Sequence, residues 1–167
     1  LARRHHVHSK TMCWMTVDCA LAVAKYLGRK RPQWADLRDS IAQDVLQHGW
    51  KEHLGAFSGT YENEHLDATA LAIGLSGLIA PTDQRFVRTV EAIEKELRVG
   101  PTVYRYRCDD GIAGTEGGFN LCTAWMIEAY AAIGRRDAAE ELFEQYCALT
   151  GPTGLMSEEY DPVEKVA

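Results

Sequence analysis

Residues 65–98, HLDATALAIGLSGLIAPTDQRFVRTVEAIEKELR, carry the clearest fold signal in this chain. Its first part, residues 65–79, is apolar on nearly every side of a helix. Its second part, residues 82–98, carries one apolar stripe at helical spacing, with charged side chains at most of the other positions. The pattern predicts a hairpin in which a buried inner helix is followed by an outer helix with one face in water.

The same alternation of inner and outer helices occurs before and after this stretch. Upstream, an apolar helix is predicted between Ser9, its expected N-cap, and Gly28, and residues 33–48 then show a single stripe. Downstream, residues 118–133 are apolar on two sides and residues 135–149 carry one stripe. Period-2 alternation is almost absent. The sequence therefore predicts an all-α fold of three antiparallel hairpins, with the inner helices covered on two sides.

The connections between these hairpins are long, whereas the connections within them are short. The long ones run over residues 49–64, residues 99–117 and from residue 150 onward. In an antiparallel array, every connection from an outer to an inner helix falls at the same end. Long ordered loops on a rigid scaffold are where binding and catalytic residues concentrate. We therefore expect any functional site at this end.

Composition excludes several kinds of partner. The 167 residues are 46% apolar, which is enough for one domain with a core, and no apolar run approaches the length of a membrane span. The net charge of −6 gives no electrostatic reason to bind nucleic acid or an anionic membrane surface. We predict a neutral partner, no nucleic acid and no membrane.

The cysteines favour a reducing compartment. The chain has five of them, an odd number with no C-x-x-C pair: Cys13, Cys19, Cys108, Cys122 and Cys147. This spacing argues against a disulfide framework and against a zinc knuckle. We predict reduced thiols, a cytoplasmic protein and no metal or other cofactor.

The amino terminus, LARRHHVHSK, has neither an initiator methionine nor the apolar core of a signal peptide. The chain is therefore expected to be a piece of a longer protein. His5, His6 and His8 could suggest a metal site, but no acids or cysteines stand at ligand spacing beside them. The polar start of a helix is the favoured interpretation of this triplet.

The three long loops combine aromatic side chains with carboxylates. Aromatic faces stack on sugar rings, and carboxylates or arginines bind sugar hydroxyls, so the mixture suits an uncharged carbohydrate. Cleavage of a glycoside needs two carboxyl groups. Residues alone leave other interpretations open: Glu158 and Glu159 could be solvated loop acids, and Arg105 could pair structurally with Asp109 or Asp110. Trp14 and Trp125 could belong to the core.

Several motifs together resemble glycoside hydrolase family 15. They are HSKTMCW at residues 8–14, LDATAL at 66–71, VYRYR at 103–107, DDGIAGTEGGFNLCTAW at 109–125 and SEEYDP at 157–162. The family contains glucoamylases, glucodextranases and bacterial trehalases, and its catalytic domain is an (α/α)6 toroid of six inner and six outer helices. The resemblance covers essentially the whole chain and implies that the three hairpins form about half of such a toroid.

The resemblance also implies roles for individual residues. Glu158 would be the general base of an inverting hydrolysis, with Glu159 as the competing choice because adjacent acids cannot be separated by sequence. Arg105 would bind hydroxyls of the terminal glucose. Further substrate-binding residues expected around the same pocket are Tyr104, Glu116, Trp125, His8 and Lys10.

One departure from the family concerns the second carboxyl group. In the family the general acid lies in a Trp-Glu segment just before the His-Ser-Lys helix, and this sequence starts at Leu1 without that segment. Residues 1–167 are thus expected to be a partial catalytic domain, with only one half of the catalytic pair. Its open ends would be covered by the remainder of the domain or by self-association.

Two functions follow as hypotheses. The leading one is an exo-acting hydrolase that releases glucose from trehalose or from α-glucan oligosaccharides, with this fragment inactive by itself. The alternative is a non-catalytic helical-repeat module that binds sugar or another protein. A toroid epimerase is disfavoured because such enzymes use rim histidines, and the long loops hold only His53.

Overall fold

A computed structural model of the chain describes residues 3–108 and 117–166. Its helices are α1 (Val7–Tyr26), α2 (Pro32–Gly49), α3 (Ala72–Leu75), α4 (Gln84–Leu97), α5 (Asn120–Ala132) and α6 (Arg136–Cys147), and a 3-10 turn over Ala68–Leu71 leads into α3. Three antiparallel pairs of two-residue strands accompany them: β1 (Trp50–Lys51) with β2 (Ala56–Phe57), β3 (Arg98–Val99) with β4 (Thr102–Val103), and β5 (Gly118–Phe119) with β6 (Glu159–Tyr160).

The helices form two layers. In the inner layer α3 lies between α1 and α5, and in the outer layer α2 packs along α1 while α6 packs along α5. Helix α4 packs on the 3-10 turn and on α5. Its predicted stripe of Phe86, Val90, Ile93 and Leu97 is fully buried. The all-α class and the arrangement in inner–outer hairpins are thus confirmed.

The second inner helix is much shorter than the predicted span of 65–79. Helical structure begins at Ala68 because the Asp67 carboxylate accepts a hydrogen bond from the backbone N–H of Thr69, at 2.9 Å, and so caps the turn. It ends before Gly77, whose φ of +82° is a left-handed conformation that suits glycine and closes a helix. Local capping at both ends therefore overrides the apolar pattern.

The prediction that Ser9 caps α1 is wrong. The helix begins at Val7, three residues before the start that a cap at Ser9 implies, and His6 is its N-cap without a side-chain hydrogen bond. The backbone N–H of Val7 donates to the carbonyl of Gly59 in the first long loop, at 3.0 Å. A tertiary contact thus satisfies one of the backbone donors at the helix start that have no partner within the helix.

Helix α1 is covered on one side only, in contrast to the predicted cover on two. It packs along α2 and touches the 3-10 turn and α3. On its other side Val23 is 57% and Tyr26 is 89% exposed. The start of the α2 stripe is exposed as well, with Trp34 at 39% and Leu37 at 50%. Within the described residues, no element covers this apolar surface.

Packing between the inner and outer layers depends on Gly74 in α3. A Cβ atom at this position would lie 2.5 Å from three ring atoms of Phe86, which is fully buried in α4. Alanine would force the two helices apart or the ring out of its rotamer. We expect Gly74→Ala to lower the free energy of unfolding by about 1–3 kcal/mol, which corresponds to a fall in Tm of roughly 2–4 °C per kcal/mol.

Thermal unfolding followed by circular dichroism measures this effect. The matched control is Gly151→Ala, because that glycine is exposed, has no left-handed φ and would place its Cβ 3.7 Å from the nearest atom. An equal Tm for the two variants would contradict the close packing of α3 on α4.

The described residues contain no helix that combines the length and the apolar character required to cross a membrane.

Candidate active site

The three long connections and the start of α1 lie side by side at one end of the helices. Backbone hydrogen bonds join them in sequence order. Val7 donates to Gly59 in the first connection, Ala68 at the end of that connection donates to Arg105 in the second at 2.8 Å, and Asn120 at the start of α5 donates to Glu158 in the third at 2.9 Å. The loops are thus held in fixed positions relative to the inner helices.

A cavity of about 150 Å³ opens between the second and the third connection. The residues that line it are Arg105, Tyr106, Gly117, Phe119, Glu158 and Glu159. One cation, two carboxylates and two aromatic rings therefore face a single small space. Three of these side chains, Arg105, Glu158 and Glu159, are site residues that the sequence predicts.

The third connection is fixed by the first residues of α5. Strand β6 pairs with β5, with Phe119 opposite Glu159. Asn120 is 4% exposed, and besides its backbone bond to Glu158 its side-chain amide donates to the carbonyl of Ser157 at 3.0 Å. Hydrogen bonds therefore attach the segment that carries both glutamates to the start of the inner helix α5.

Gly118 allows the close approach of β5 to the second connection. A Cβ atom at this position would lie 2.0 Å from Oγ1 of Thr102, which is fully buried in β4. Only glycine fits here, so the chain can bring Phe119 to the cavity wall while β5 lies against β4.

The two glutamates have different surroundings although both are exposed. The carboxylate of Glu159 accepts a hydrogen bond from the backbone N–H of Gly117, at 3.3 Å. Within residues 3–108 and 117–166, the Glu158 carboxylate makes no hydrogen bond and no ion pair. Glu158 is thus the acid with free acceptor sites toward the cavity.

Arg105 contacts Asp67 and Tyr106. Its Nε lies 3.7 Å from Oδ2 of Asp67, and its guanidinium lies over the ring of Tyr106, 5.3 Å from the centroid. The side chain is 47% exposed. The structural partner suggested by the sequence was Asp109 or Asp110, and both lie outside the described residues.

The rings of His8 and Trp125 lie close to each other. Their ring centroids are 5.8 Å apart, and both side chains are partly buried. Burial lowers the pKa of His8, the charge of Asp67 opposes this shift, and the charge of Arg105 adds to it. The imidazole is therefore neutral near pH 7. Burial likewise raises the pKa of the neighbouring Cys122 thiol to about 12, so this cysteine stays protonated.

Lys10 and Tyr104 are two further predicted binding residues that do not line the cavity, as is also true of His8 and Trp125. Nζ of Lys10 donates to Oδ2 of Asp44 in α2, at 2.6 Å, and lies over the ring of Tyr61. The same hydrogen bond holds the pKa of Asp44 below its usual range. Tyr104 packs against the core, with the guanidinium of Arg107 4.6 Å from its ring centroid. Both residues are thus engaged in structural contacts.

Another predicted residue, Glu116, lies outside the described residues, so its proposed binding role remains a prediction.

Sequence reasoning missed Phe119 as a cavity residue and gave Asp67 no role. The sequence does offer one indication for Asp67: it stands directly before an apolar helical run, a position typical of an N-cap. Its proximity to Arg105, 38 residues further along the chain, has no local signal. Phe119 follows two glycines at the start of α5, and only the pairing of β5 with β6 brings it to the cavity.

Within the part of the chain that the structure describes, no three His, Cys, Asp or Glu side chains are grouped so as to hold a metal ion. The histidines near the amino terminus point to different partners. Nδ1 of His5 lies 3.0 Å from the carboxylate of Glu62, whereas His8 contacts Trp125.

Several solved structures that this chain resembles are glycosidases. A glycosidase variant in complex with glucose matches over 93% of this chain and 42% of its own, with a TM-score of 0.78 and 19% sequence identity. A wild-type glycosidase matches over 92% of this chain and 41% of its own, with a TM-score of 0.77 and 20% identity. At this level of identity the similarity establishes the fold: the hairpins are part of a helical glycosidase fold.

The model of glycosyl hydrolases family 15 matches residues 2–165, and the chain belongs to that family. A trehalase from Thermoplasma volcanium is 37% identical over 161 residues, which are 95% of this chain and 26% of that protein. A trehalase from Mycobacterium tuberculosis is 37% identical over 164 residues, which are 95% of this chain and 24% of that protein. The chain thus spans about a quarter of the length of the curated relatives it matches.

Proposed function

We propose that the protein hydrolyses an α-glucoside with inversion and releases glucose, and that residues 1–167 are part of its catalytic domain. The observation that carries the proposal is the cavity that joins Arg105 to the two glutamates in a chain of family 15. Trehalose is the substrate of first choice because the relatives at 37% identity are trehalases. Short α-glucan oligosaccharides are the other substrates that the proposal includes.

In this reaction Glu158 is the general base. An inverting glycosidase uses one carboxylate to take a proton from the water that attacks the anomeric carbon. That carboxylate needs free acceptor sites toward the substrate, and within the described residues Glu158 has them. Glu159 is engaged by the backbone of Gly117 and is better suited to a hydrogen bond with a sugar hydroxyl.

The remaining cavity residues bind the sugar. The guanidinium of Arg105 carries several N–H donors in a fixed plane, and these match adjacent hydroxyls of a glucose ring. Phe119 and Tyr106 line the same cavity, and Trp125 lies nearby beside His8. Their rings offer apolar surface to the C–H faces of the sugar. A neutral ligand agrees with a chain whose net charge is −6.

The general acid comes, in this proposal, from the rest of the catalytic domain. The exposed apolar side of α1 supports the idea that further structure packs here. Soluble proteins rarely leave a contiguous apolar surface uncovered, and Val23 and Tyr26 are both more than half exposed. Either the remainder of the domain or a second copy of the chain would cover this side.

Glucose release from trehalose, maltose and isomaltose tests the proposal. We expect the full-length protein to act on trehalose and the isolated 167-residue chain to be inactive. Proton NMR during the first minutes should show β-glucose and α-glucose in equal amounts from trehalose, because inversion makes the attacked residue the β-anomer while the leaving glucose keeps its α configuration.

Release of α-glucose alone from trehalose, without an equal amount of β-glucose, would contradict the inverting mechanism. Activity of the isolated chain would contradict the proposal that the general acid lies in the rest of the catalytic domain. Binding of all three sugars without release of glucose would favour the non-catalytic alternative.

A further inference from the structure

Asp67 lies where the first long connection meets the second. It is the last residue before the 3-10 turn, and its side chain is only 14% exposed. Charged side chains are rarely buried to this degree unless they are paired. Its partners therefore indicate what the carboxylate does.

The two carboxylate oxygens of Asp67 have separate partners. Oδ1 accepts a hydrogen bond from the backbone N–H of Thr69, at 2.9 Å, and so fixes the side chain on its own backbone. Oδ2 lies 3.7 Å from Nε of Arg105. The cap already restricts the Asp67 side chain. Positioning a cation therefore costs this carboxylate little further conformational entropy.

The main chain of Arg105 is attached to the same turn. Its carbonyl accepts a hydrogen bond from the backbone N–H of Ala68, at 2.8 Å. The backbone of Arg105 is thus bonded to the residue that follows Asp67, and its Nε faces the Asp67 carboxylate. The contact at Nε leaves the two terminal nitrogens of the guanidinium for the cavity.

The first connection leaves room for this arrangement at Gly59. A Cβ atom at Gly59 would lie 2.9 Å from Cβ of Asp67. The carbonyl of Gly59 also accepts a hydrogen bond from the N–H of Val7 at the start of α1. The N–H of Gly59 donates to the carbonyl of His65. The close approach of Gly59 to Asp67 is therefore part of the contact between α1 and the loops.

We propose that Asp67 is a positioning residue for sugar binding: it holds the guanidinium of Arg105 in the orientation in which its terminal N–H groups face the cavity. This inference rests on the proposed function, because it takes Arg105 as the group that binds the sugar. An arginine side chain has many rotamers, and restricting them before the ligand arrives strengthens binding. Asp67 itself makes no contact with the sugar.

The test is Asp67→Asn in the full-length protein. Asparagine has the same shape and is an equally good N-cap, so the bond to Thr69 and the Tm should be retained. Only the negative charge opposite Arg105 is lost. We expect the Kd of a glucose-like inhibitor, measured by calorimetry, to rise about two- to fivefold, as is typical for the loss of an ion pair that is longer than a hydrogen bond and partly exposed.

Asp83→Asn is the matched control. Asp83 caps α4 through the backbone N–H of Arg85, at 2.9 Å, and pairs with the Arg85 side chain at 2.7 Å. Like Asp67, it therefore caps a helix and pairs with an arginine, but it does not line the cavity. Asp83→Asn should leave the inhibitor Kd unchanged.

The double variant Asp67→Asn with Arg105→Ala separates positioning from direct contact. If Asp67 acts only through Arg105, the double variant should bind the inhibitor as weakly as Arg105→Ala alone, within about twofold, because the two changes remove one shared interaction. Additive losses would mean that Asp67 touches the sugar, and an unchanged Kd in Asp67→Asn would also overturn the inference.

A readout without sugar keeps this inference distinct from the proposed function. In protein labelled with 15N-arginine, the Nε–H signal of Arg105 is assigned by its loss in Arg105→Ala. We expect its exchange with solvent to be faster in Asp67→Asn and unchanged in Asp83→Asn. If the unmutated protein binds no glucose-like inhibitor, the proposed function fails, whereas an unaltered exchange rate in Asp67→Asn overturns the positioning role.

Discussion

Replacing Glu158 with glutamine in the full-length protein is expected to lower the rate of glucose release about 100- to 10 000-fold, the usual contribution of a general base. Glutamine keeps the size of the side chain and its hydrogen-bonding capacity, but it cannot take a proton from water. Substrate binding should change little, so the loss should appear in kcat and not in KM. Steady-state kinetics on trehalose measure both constants.

The matched control is Glu159→Gln, one residue along the same strand-forming segment. A glutamine oxygen can still accept the hydrogen bond from Gly117. Because the change removes a charge but not the catalytic base, kcat should fall less than about tenfold. If Glu159→Gln were the more damaging change, the two roles would be reversed. Equal kcat in Glu158→Gln and the unmutated protein would remove Glu158 from the chemistry.

Replacing Arg105 with alanine is expected to weaken the binding of a glucose-like inhibitor on the order of 10- to 100-fold. Hydrogen bonds from a charged donor contribute about 1.5–3 kcal/mol each, and about 1.4 kcal/mol corresponds to a factor of ten in Kd. Inhibition kinetics or calorimetry on the full-length protein gives the value. KM for the substrate should rise in parallel if Arg105 binds the ground state and the transition state alike.

Arg107→Ala is the control for this experiment. Arg107 has the same charge and is two residues away, but its guanidinium lies over the ring of Tyr104, and it lines a separate groove beside α4. Its removal should leave the inhibitor Kd within about twofold of the unmutated protein, as expected for a residue outside the contact. Similar losses for both arginines would indicate a general electrostatic effect of the loop and not a specific contact.

Much of the fold could be predicted because long amphipathic helices have a strong periodic signal. The apolar stripe of α4 identifies its buried face correctly, since every stripe residue packs against the inner layer. The second inner helix could not be placed as well. Its apolar residues continue beyond the helix in both directions, and the cap at Asp67 and the left-handed Gly77 determine its length.

The site was only partly predictable. Arg105 and Glu158 stand in recognisable motifs, and the structure brings both to one cavity. Lys10 stands in an equally recognisable motif, yet its ammonium group is paired with Asp44 in the neighbouring helix. A motif specifies which residue types occur together, whereas the direction of each side chain depends on its tertiary neighbours.

Local features of the sequence establish the helical class, the alternation of inner and outer helices, the end of the molecule that holds the long loops, and the resemblance to the family. Each of these depends on periodicity, on turn residues or on motifs, which are properties of neighbouring residues. Three features of the site appear only in the folded chain: Asp67 faces Arg105, Phe119 lies opposite Glu159, and the Glu158 carboxylate has no partner within the described residues. These pairings join residues far apart in the chain, and their geometry follows from the packing of the loops on the inner helices.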